Sequence, residues 1–451
     1  MFSVSKLLSP LSSLVAVCLL VFFSFSVLLQ VAQANDISLP AYAKDKHLGV
    51  MSCAGSTCHE ASKPLPGSPV RQNEFSTWKA KDEHSKAYQH LKNKLSVQIA
   101  KNLGLAKPAH QSKVCLDCHA DNVSAAQRGK RFRISDGVSC EACHGGSRRW
   151  LGLHISGEDG HKANLDNGLY PTEKPVERAK LCLSCHFGDD KKFVTHKIMG
   201  AGHPRLSFEL DRFTNVQPAH YKRDKDYGRR KGYADGTQVW AIGQAVAVGL
   251  FLDKLSVESN LDKAGLFPEL SLFDCQSCHH AMKNKRWTGH TGLSAGVIRL
   301  NDANLILLRH AVKVLHPNED KSFSNSILAL HRATTTNKQA VIVATENLRK
   351  MTRRLVTEFA NHRFTKMDKR KLLTSIIEEG KKGRHADYVV AEQSVMALDA
   401  ISQSLSLKLN LKPLYALLGG NPKTGNEDKI SFTLEKGKMT AYQNGLKAIK
   451  F

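Results

Sequence analysis

The chain has 451 residues, with 65 Lys and Arg against 41 Asp and Glu for a formal charge of +24, and it carries 11 cysteines. That length suffices for two domains, and beyond the first 35 residues no stretch is apolar for long enough to cross a bilayer, which excludes a polytopic membrane protein. The positive excess suits an acidic partner protein, an anionic substrate or a membrane surface, and equally a solvated cationic surface.

The N-terminus reads as an export signal. Lys6 is the only charge in residues 1–35, an apolar stretch runs from Leu14 to Leu29, and Ala32-Gln33-Ala34 is a small-x-small cleavage site. A signal of residues 1–34 delivers a mature chain from Asn35 to the periplasm, where nucleic acid is not a partner, and discards Cys18. Left uncleaved, the same stretch is an N-terminal membrane anchor.

The other ten cysteines form five clusters, each ending in Cys-His. Four are C-x-x-C-H: Cys115/Cys118/His119, Cys140/Cys143/His144, Cys182/Cys185/His186 and Cys275/Cys278/His279; the first in the chain is longer, Cys53-Ala-Gly-Ser-Thr-Cys58-His59. C-x-x-C-H is the c-type haem attachment pattern. Two thiols become thioethers on the two vinyl groups of one porphyrin edge, and the histidine that follows folds beneath the ring to bind its iron. Structural zinc wants four protein ligands, and each cluster offers three. The spacing predicts five covalent haems, with a disulfide as the alternative for Cys53 and Cys58. Their propionates add about ten negative charges, so the holoprotein is less basic than its sequence.

About 50 residues per motif over 50–295 are too few for an ordinary core, so stacked porphyrins are expected to be the core, wrapped by short helices and loops. Glycines beside the motifs (Gly137, Gly145, Gly146) fit backbone passing close to the rings. A helix is predicted over Phe75–Leu95, carrying His84. Another runs from Thr172 to Cys185, with Pro175 in its first turn. An apolar helix, Val239–Leu255, reads as too short to span a membrane and as packing between two parts of the protein. Residues 145–170 and 205–236 read as loops. From 296 onward cysteines stop and the periodicity becomes helical: Asn304–Val314 is one helix, Leu348, Met351, Leu355 and Phe359 share one apolar face, and Tyr388, Ala391, Val395 and Leu398 share another. The tail Ile430–Tyr442 alternates weakly and suggests a hairpin around Gly437. Arg363–Lys371 is the densest basic run, either a docking face or a solvated helix surface. The fold class is mainly α: a multihaem cytochrome c domain over 35–295 and a C-terminal helical bundle over 296–451.

Five motif histidines leave sixteen others, an excess that fits irons with two histidine ligands. Cys53–His59, Trp78-x5-His84-Ser-Lys-Ala, Cys115-Leu-Asp-Cys118-His119-Ala and Gly137-Val-Ser-Cys140-Glu-Ala-Cys143-His144-Gly145 resemble, in order and wording, the tetrahaem cytochromes c that carry electrons from hydroxylamine oxidation in ammonia-oxidising bacteria. The resemblance covers about residues 50–190. It implies His84 as sixth ligand on the third-motif haem, His154 on the first-motif haem, and an open or weakly filled position on the second, which His110 lies close enough in sequence to close. For the fourth-motif haem the candidates are His196 and His203. His280, His220 and His290 are options for neighbouring haems, and nothing in the resemblance caps the fifth. The function implied is electron transfer between redox partner proteins, without a catalytic residue. The alternative is a multihaem oxidoreductase working on a small nitrogen or sulfur compound at an open iron, and the C-x-x-C-K motif of the pentahaem nitrite reductases does not occur here.

Overall fold

The computed structural model describes residues 37–67, 70–157, 160–256, 268–280, 292–294, 297–385, 387–419 and 436–451. The export signal, Cys18, residues 430–435 of the tail and His290 lie outside them. Among the described residues the protein is mainly α: helices and short 3-10 turns, no strand, and two isolated bridges, His47 with Arg128 and Phe273 with Leu300. Leu39–Phe451 forms one compact unit.

The main core is aliphatic and lies in the C-terminal half. The apolar helix expected over Val239–Leu255 runs from Gly236 to Ser256; its 21 residues make it long and apolar enough to cross a membrane, yet 78% of its most apolar window is buried in the protein. It packs against Lys338–Asn361, Ala303–Leu315, Tyr388–Ser404 and Leu210–Val216, and against Pro175–Leu183, which leads into the fourth motif. Trp240, Leu252 and Leu255 are fully buried there with Leu348, Leu355 and Phe359 from the long basic helix and Val395 and Leu398 from Tyr388–Ser404. Each such side chain contributes about 1.5–3 kcal/mol by leaving water. By contrast, the apolar cluster of the motif-bearing half joins only Tyr88, Leu91, Ala100, Ala109, Leu116 and Ala120.

The predicted helix over Phe75–Leu95 is broken. Glu74–Lys81 ends at Asp82, whose extended backbone (ψ 122°) and side chain, accepting from His84 N, start a 3-10 turn that projects His84. The stretches read as loops contain short helices, Leu151–Ser156, Gly160–Asp166, Leu210–Val216 and Lys225–Lys231, the third capped by Glu209 and the fourth by Asp224. Capping by acidic residues satisfies the first amides of helices too short for a hydrophobic pattern to reveal. The tail is a helix, Lys436–Lys447, rather than a hairpin, because Tyr442 and Leu446, four residues apart, are both fully buried. Gly137 and Gly145 have φ of +74° and +81°, and a Cβ there would lie 2.7 Å from His84 O and 2.5 Å from Gly168 O respectively. These glycines serve the close approach of chain to chain.

Near the end of the core helix, Lys254 Nζ donates to Phe187 O at 3.0 Å and sits 3.9 Å from the centre of the Phe187 ring. Burial pushes its ammonium down to about 7. The unfolded chain therefore binds the extra proton between pH 7 and about 10, and this residue makes stability rise with pH across that window. Lys254→Met removes that rise and stabilises the protein at pH 7 by on the order of 3–5 kcal/mol, at about 1.4 kcal/mol per pH unit. Urea denaturation of both proteins at pH 7 and pH 9 checks it.

Candidate haem-binding site

Each motif histidine faces one further histidine. Ring centres lie 6.0 Å apart for His59 and His154, 6.3 Å for His119 and His203, 6.2 Å for His144 and His220, 5.9 Å for His186 and His84, and 6.1 Å for His279 and His196. An imidazole–metal bond is about 2 Å and the ring centre sits roughly 1 Å behind the nitrogen, so two imidazoles on opposite sides of one metal put their centres about 6 Å apart. All five pairs fit an iron held between them. None of the ten cysteines, Cys53 and Cys58 included, is in a disulfide.

The pairing departs from the sequence expectation in several places. His154 faces His59, as the resemblance implies. His84 faces His186 of the fourth motif: its backbone accepts from Val138 N at 3.0 Å, beside the third motif, while its ring turns across to the fourth. Trp78, which donates its indole N–H to Val138 O at 3.2 Å, fixes the same segment. His203 faces His119, so the second motif has a partner; His196 faces His279 of the fifth motif. His110 meets the Tyr88 ring edge-on. His220, an option for another haem by sequence, completes the third pair; its surroundings carry no periodic signal that assigns it.

Carboxylates fix several rings. Glu74 Oε2 lies 2.9 Å from His59 Nδ1, and Asp82 Oδ1 2.9 Å from His84 Nδ1; His203 Nδ1 donates to Pro204 O at 2.7 Å. Engaging Nδ1 leaves Nε2 for the metal and raises its basicity. The Glu74 hydrogen bond raises His59's pKa, and for His84 the Asp82 bond and charge outweigh the lowering by burial. Asp82 also accepts from Gln217 Nε2 at 2.9 Å, three residues before His220. Burial holds His144 and His186 down to about 4, so both are neutral. Glu74 and Asp82 were not singled out by sequence; an acid two residues before His84 was the available clue.

The motifs also adjoin one another. The Cys53 side chain lies beside that of Cys140 and Cys118 beside Cys185, and Cys143 lies near Cys182 and Cys185. Motif one thus adjoins three, three adjoins four, and four adjoins two. His203 and His196, joined by the short helix His196–Gly200, link two to five.

Two motif thiols differ from the rest in exposure. Cys278 and Cys58 are exposed, whereas Cys53, Cys115, Cys118, Cys140, Cys143, Cys182, Cys185 and Cys275 are half-buried. The exposed pair belongs to the fifth and first motifs, the two that have a neighbouring motif on one side only. Cys278 also ends the 3-10 turn Cys275–Ser277, whose buried anchor is Gln276, so the turn that holds Cys275 against the protein carries Cys278 outward.

Three buried side chains, His47, Asp121 and Glu141, gather beside the third motif with ligand atoms within 4.8 Å. They form a brace, because both carboxylates already accept from neighbouring donors. Glu141 accepts from Leu48 N (2.7 Å), Gly49 N (2.6 Å), Ser147 N (2.8 Å) and Ser147 Oγ (2.6 Å), and Asp121 bonds His47 Nδ1 (2.9 Å) and accepts from Ser139 Oγ (2.8 Å). Glu141→Ala orphans buried amides at the attachment helix and is expected to destabilise the protein by at least about 3 kcal/mol, read by denaturant midpoint.

Residues 52–145 match the family model described as cytochrome c554 and c-prime. That segment takes in the first three motifs, and over it the chain is similar to a multihaem c-type cytochrome. No curated protein and no solved structure matches the chain.

Proposed function

We propose that this chain is an exported electron-transfer cytochrome that binds five c-type haems, each iron held by a motif histidine and the histidine facing it. The observation that carries the reading is the set of five histidine pairs at 5.9–6.3 Å. The bound irons supply one-electron chemistry. Of the chain's own residues, the cysteine pairs tether, the histidines close both faces against exogenous ligands, and Glu74 and Asp82 orient two of them. The thiol contacts and the His196–Gly200 link support a row in the order one, three, four, two, five, and the exposed Cys58 and Cys278 fit its two ends. An electron carrier needs such close succession, and it needs no acid–base residue. The oxidoreductase alternative needs an exposed iron, hence a motif histidine without a facing histidine, and the five pairs speak against it.

In the same reading, residues 1–34 are the signal, the chain works in the periplasm, 35–295 is the haem-bearing part, and 296–451 is a helical part that supports the fifth motif. Tetrahaem relatives then share the first four sites, and the fifth is added after the core helix. Intact mass and EPR of protein purified from a host that matures c-type haems test this. The expected result is a chain starting at Asn35 with five haem increments and only low-spin ferric signals. Bare polypeptide, or a high-spin signal with carbon monoxide binding, would overturn it.

A further inference from the structure

Between Glu83 and Asp117 the chain has no acidic residue, yet it has six lysines: Lys86, Lys92, Lys94, Lys101, Lys107 and Lys113. Lys86 is paired with Glu83 at 2.8 Å and Lys113 with Asp117. Lys94, Lys101 and Lys107 are exposed and have no carboxylate partner among the described residues. The same segment exposes apolar side chains, Leu95 at 53%, Val97 at 59% and Val114 at 49%. Lys94, Val97 and Lys101 follow at spacings of three and four on the nine-residue helix Lys94–Asn102, so they share a face.

This surface borders the second histidine pair from both sides. Val114 directly precedes Cys115. From the same helix, Asn102 Nδ2 donates to Ala201 O at 2.9 Å, and Ile99 Cγ1 lies 3.4 Å from where a Cβ on Gly202 would stand, next to His203. Buried beneath, Ile99 and Ala100 hold the helix down. An apolar centre with a lysine rim, set against a redox centre, is the arrangement that steers and seats a partner of opposite charge.

We infer that the 84–116 surface is the docking port for an acidic redox protein, through which electrons pass to or from the second-motif site. This rests on the electron-transfer reading above and names its port. The denser basic run Arg363–Lys371 lies in the half of the chain that carries no motif, and there Lys369 pairs with Asp235 at 3.0 Å.

The test follows oxidation of the dithionite-reduced holoprotein by an acidic blue-copper protein in stopped flow at low and high salt. The comparison is native protein, the triple variant Lys94→Glu/Lys101→Glu/Lys107→Glu, and a charge-matched control, Lys366→Glu/Arg370→Glu/Lys371→Glu. A small uncharged quinone serves as a second oxidant. The port predicts a native rate that falls about tenfold or more with salt, a triple variant slowed to the high-salt rate with its salt dependence gone, a near-native control, and equal quinone rates for all three. Equal slowing by both variants, or none by the first, overturns the port while normal quinone oxidation leaves the electron-transfer reading standing. Colourless protein sinks that reading itself. Anionic lipid vesicles that retain native protein but release the first variant, with blue-copper rates unchanged, replace the protein partner by a membrane and overturn the inference.

Discussion

On the proposed five-haem reading, replacing His203 by alanine is expected to convert one haem of five from low-spin to high-spin and to open it to carbon monoxide, while His110→Ala changes neither property. The two residues separate the second-motif geometry from its sequence expectation. His203 faces His119 with ring centres 6.3 Å apart, whereas His110 is engaged edge-on by Tyr88 at 6.0 Å. Loss of the imidazole leaves one coordination position to water or an added ligand. The measurement is the ferric EPR spectrum integrated against total haem, with carbon monoxide binding to the reduced protein counted per chain. Native protein gives none of either, His203→Ala gives one site, and the variant keeps its five haem increments because the thioethers are untouched. Ligand binding by native protein, with no increment in His203→Ala, refutes the pairing.

What sequence could reveal about these sites follows from which constraints are local. Thiol and histidine spacing within a motif is set by one porphyrin edge, so candidate attachment residues are legible in five to seven letters. Their exposure is not: Cys278 and Cys185 share one spacing, yet the first is exposed and the second half-buried, because exposure depends on which motifs adjoin in space. The facing histidine is likewise chosen by tertiary contact. His84 shows the difference: the resemblance put it with the third motif, and its backbone does bond Val138, but the turn started by Asp82 carries the ring to His186. His196 and His203 are seven residues apart and serve two motifs, because the helix between them separates their rings. Long amphipathic helices such as Lys338–Asn361 were plain in the apolar spacing of Leu348, Leu355 and Phe359. Five- to seven-residue helices were not, since their support comes from caps and neighbours rather than from a repeated apolar face. The glycines beside the motifs were legible as close approaches, and at Gly137 and Gly145 the atom nearest to an added Cβ is a backbone oxygen.

Arg299→Met is expected to destabilise the protein by about 3–5 kcal/mol, the loss typical of a buried ion pair stripped of one partner, and to loosen the fifth motif ahead of the other four. Arg299 donates to Asp302 Oδ1 through Nη2 at 2.6 Å and Nε at 3.1 Å, and also pairs with Asp387. His331 Nε2 lies 2.9 Å from the other Asp302 oxygen. The same stretch holds the motif by its backbone, since Asp274 N donates to Arg299 O and Asn301 N to Leu272 O, both at 2.9 Å, and Tyr388 N donates to Gln276 Oε1 at 2.7 Å. Burial pushes Asp274 up to about 6, with Asp387 adding to the rise; for Asp302 the Arg299 and His331 contacts outweigh burial and bring it down to about 2. In native protein Asp302 therefore contributes stability that is present above about pH 4 and lost as pH falls towards 2. Asp274 contributes stability below about pH 4 that is lost as pH rises through 6. Without the guanidinium only His331 offsets the burial of Asp302, and the Asp302 carboxylate is left close to Asp387 and Asp274, so the variant's stability should fall more steeply from pH 5 to pH 8 than that of native protein. Urea denaturation at those two values, with haem absorbance followed alongside far-ultraviolet circular dichroism, reads both the loss and its slope. Adding Asp302→Asn and Asp387→Asn to Arg299→Met removes the stranded charges and should recover part of the loss and bring the slope back towards the shallower one that buried Asp274 sets by itself. A loss below about 1 kcal/mol, or a slope left just as steep by the neutral substitutions, would mean that the guanidinium is not what latches the fifth motif to the helical half.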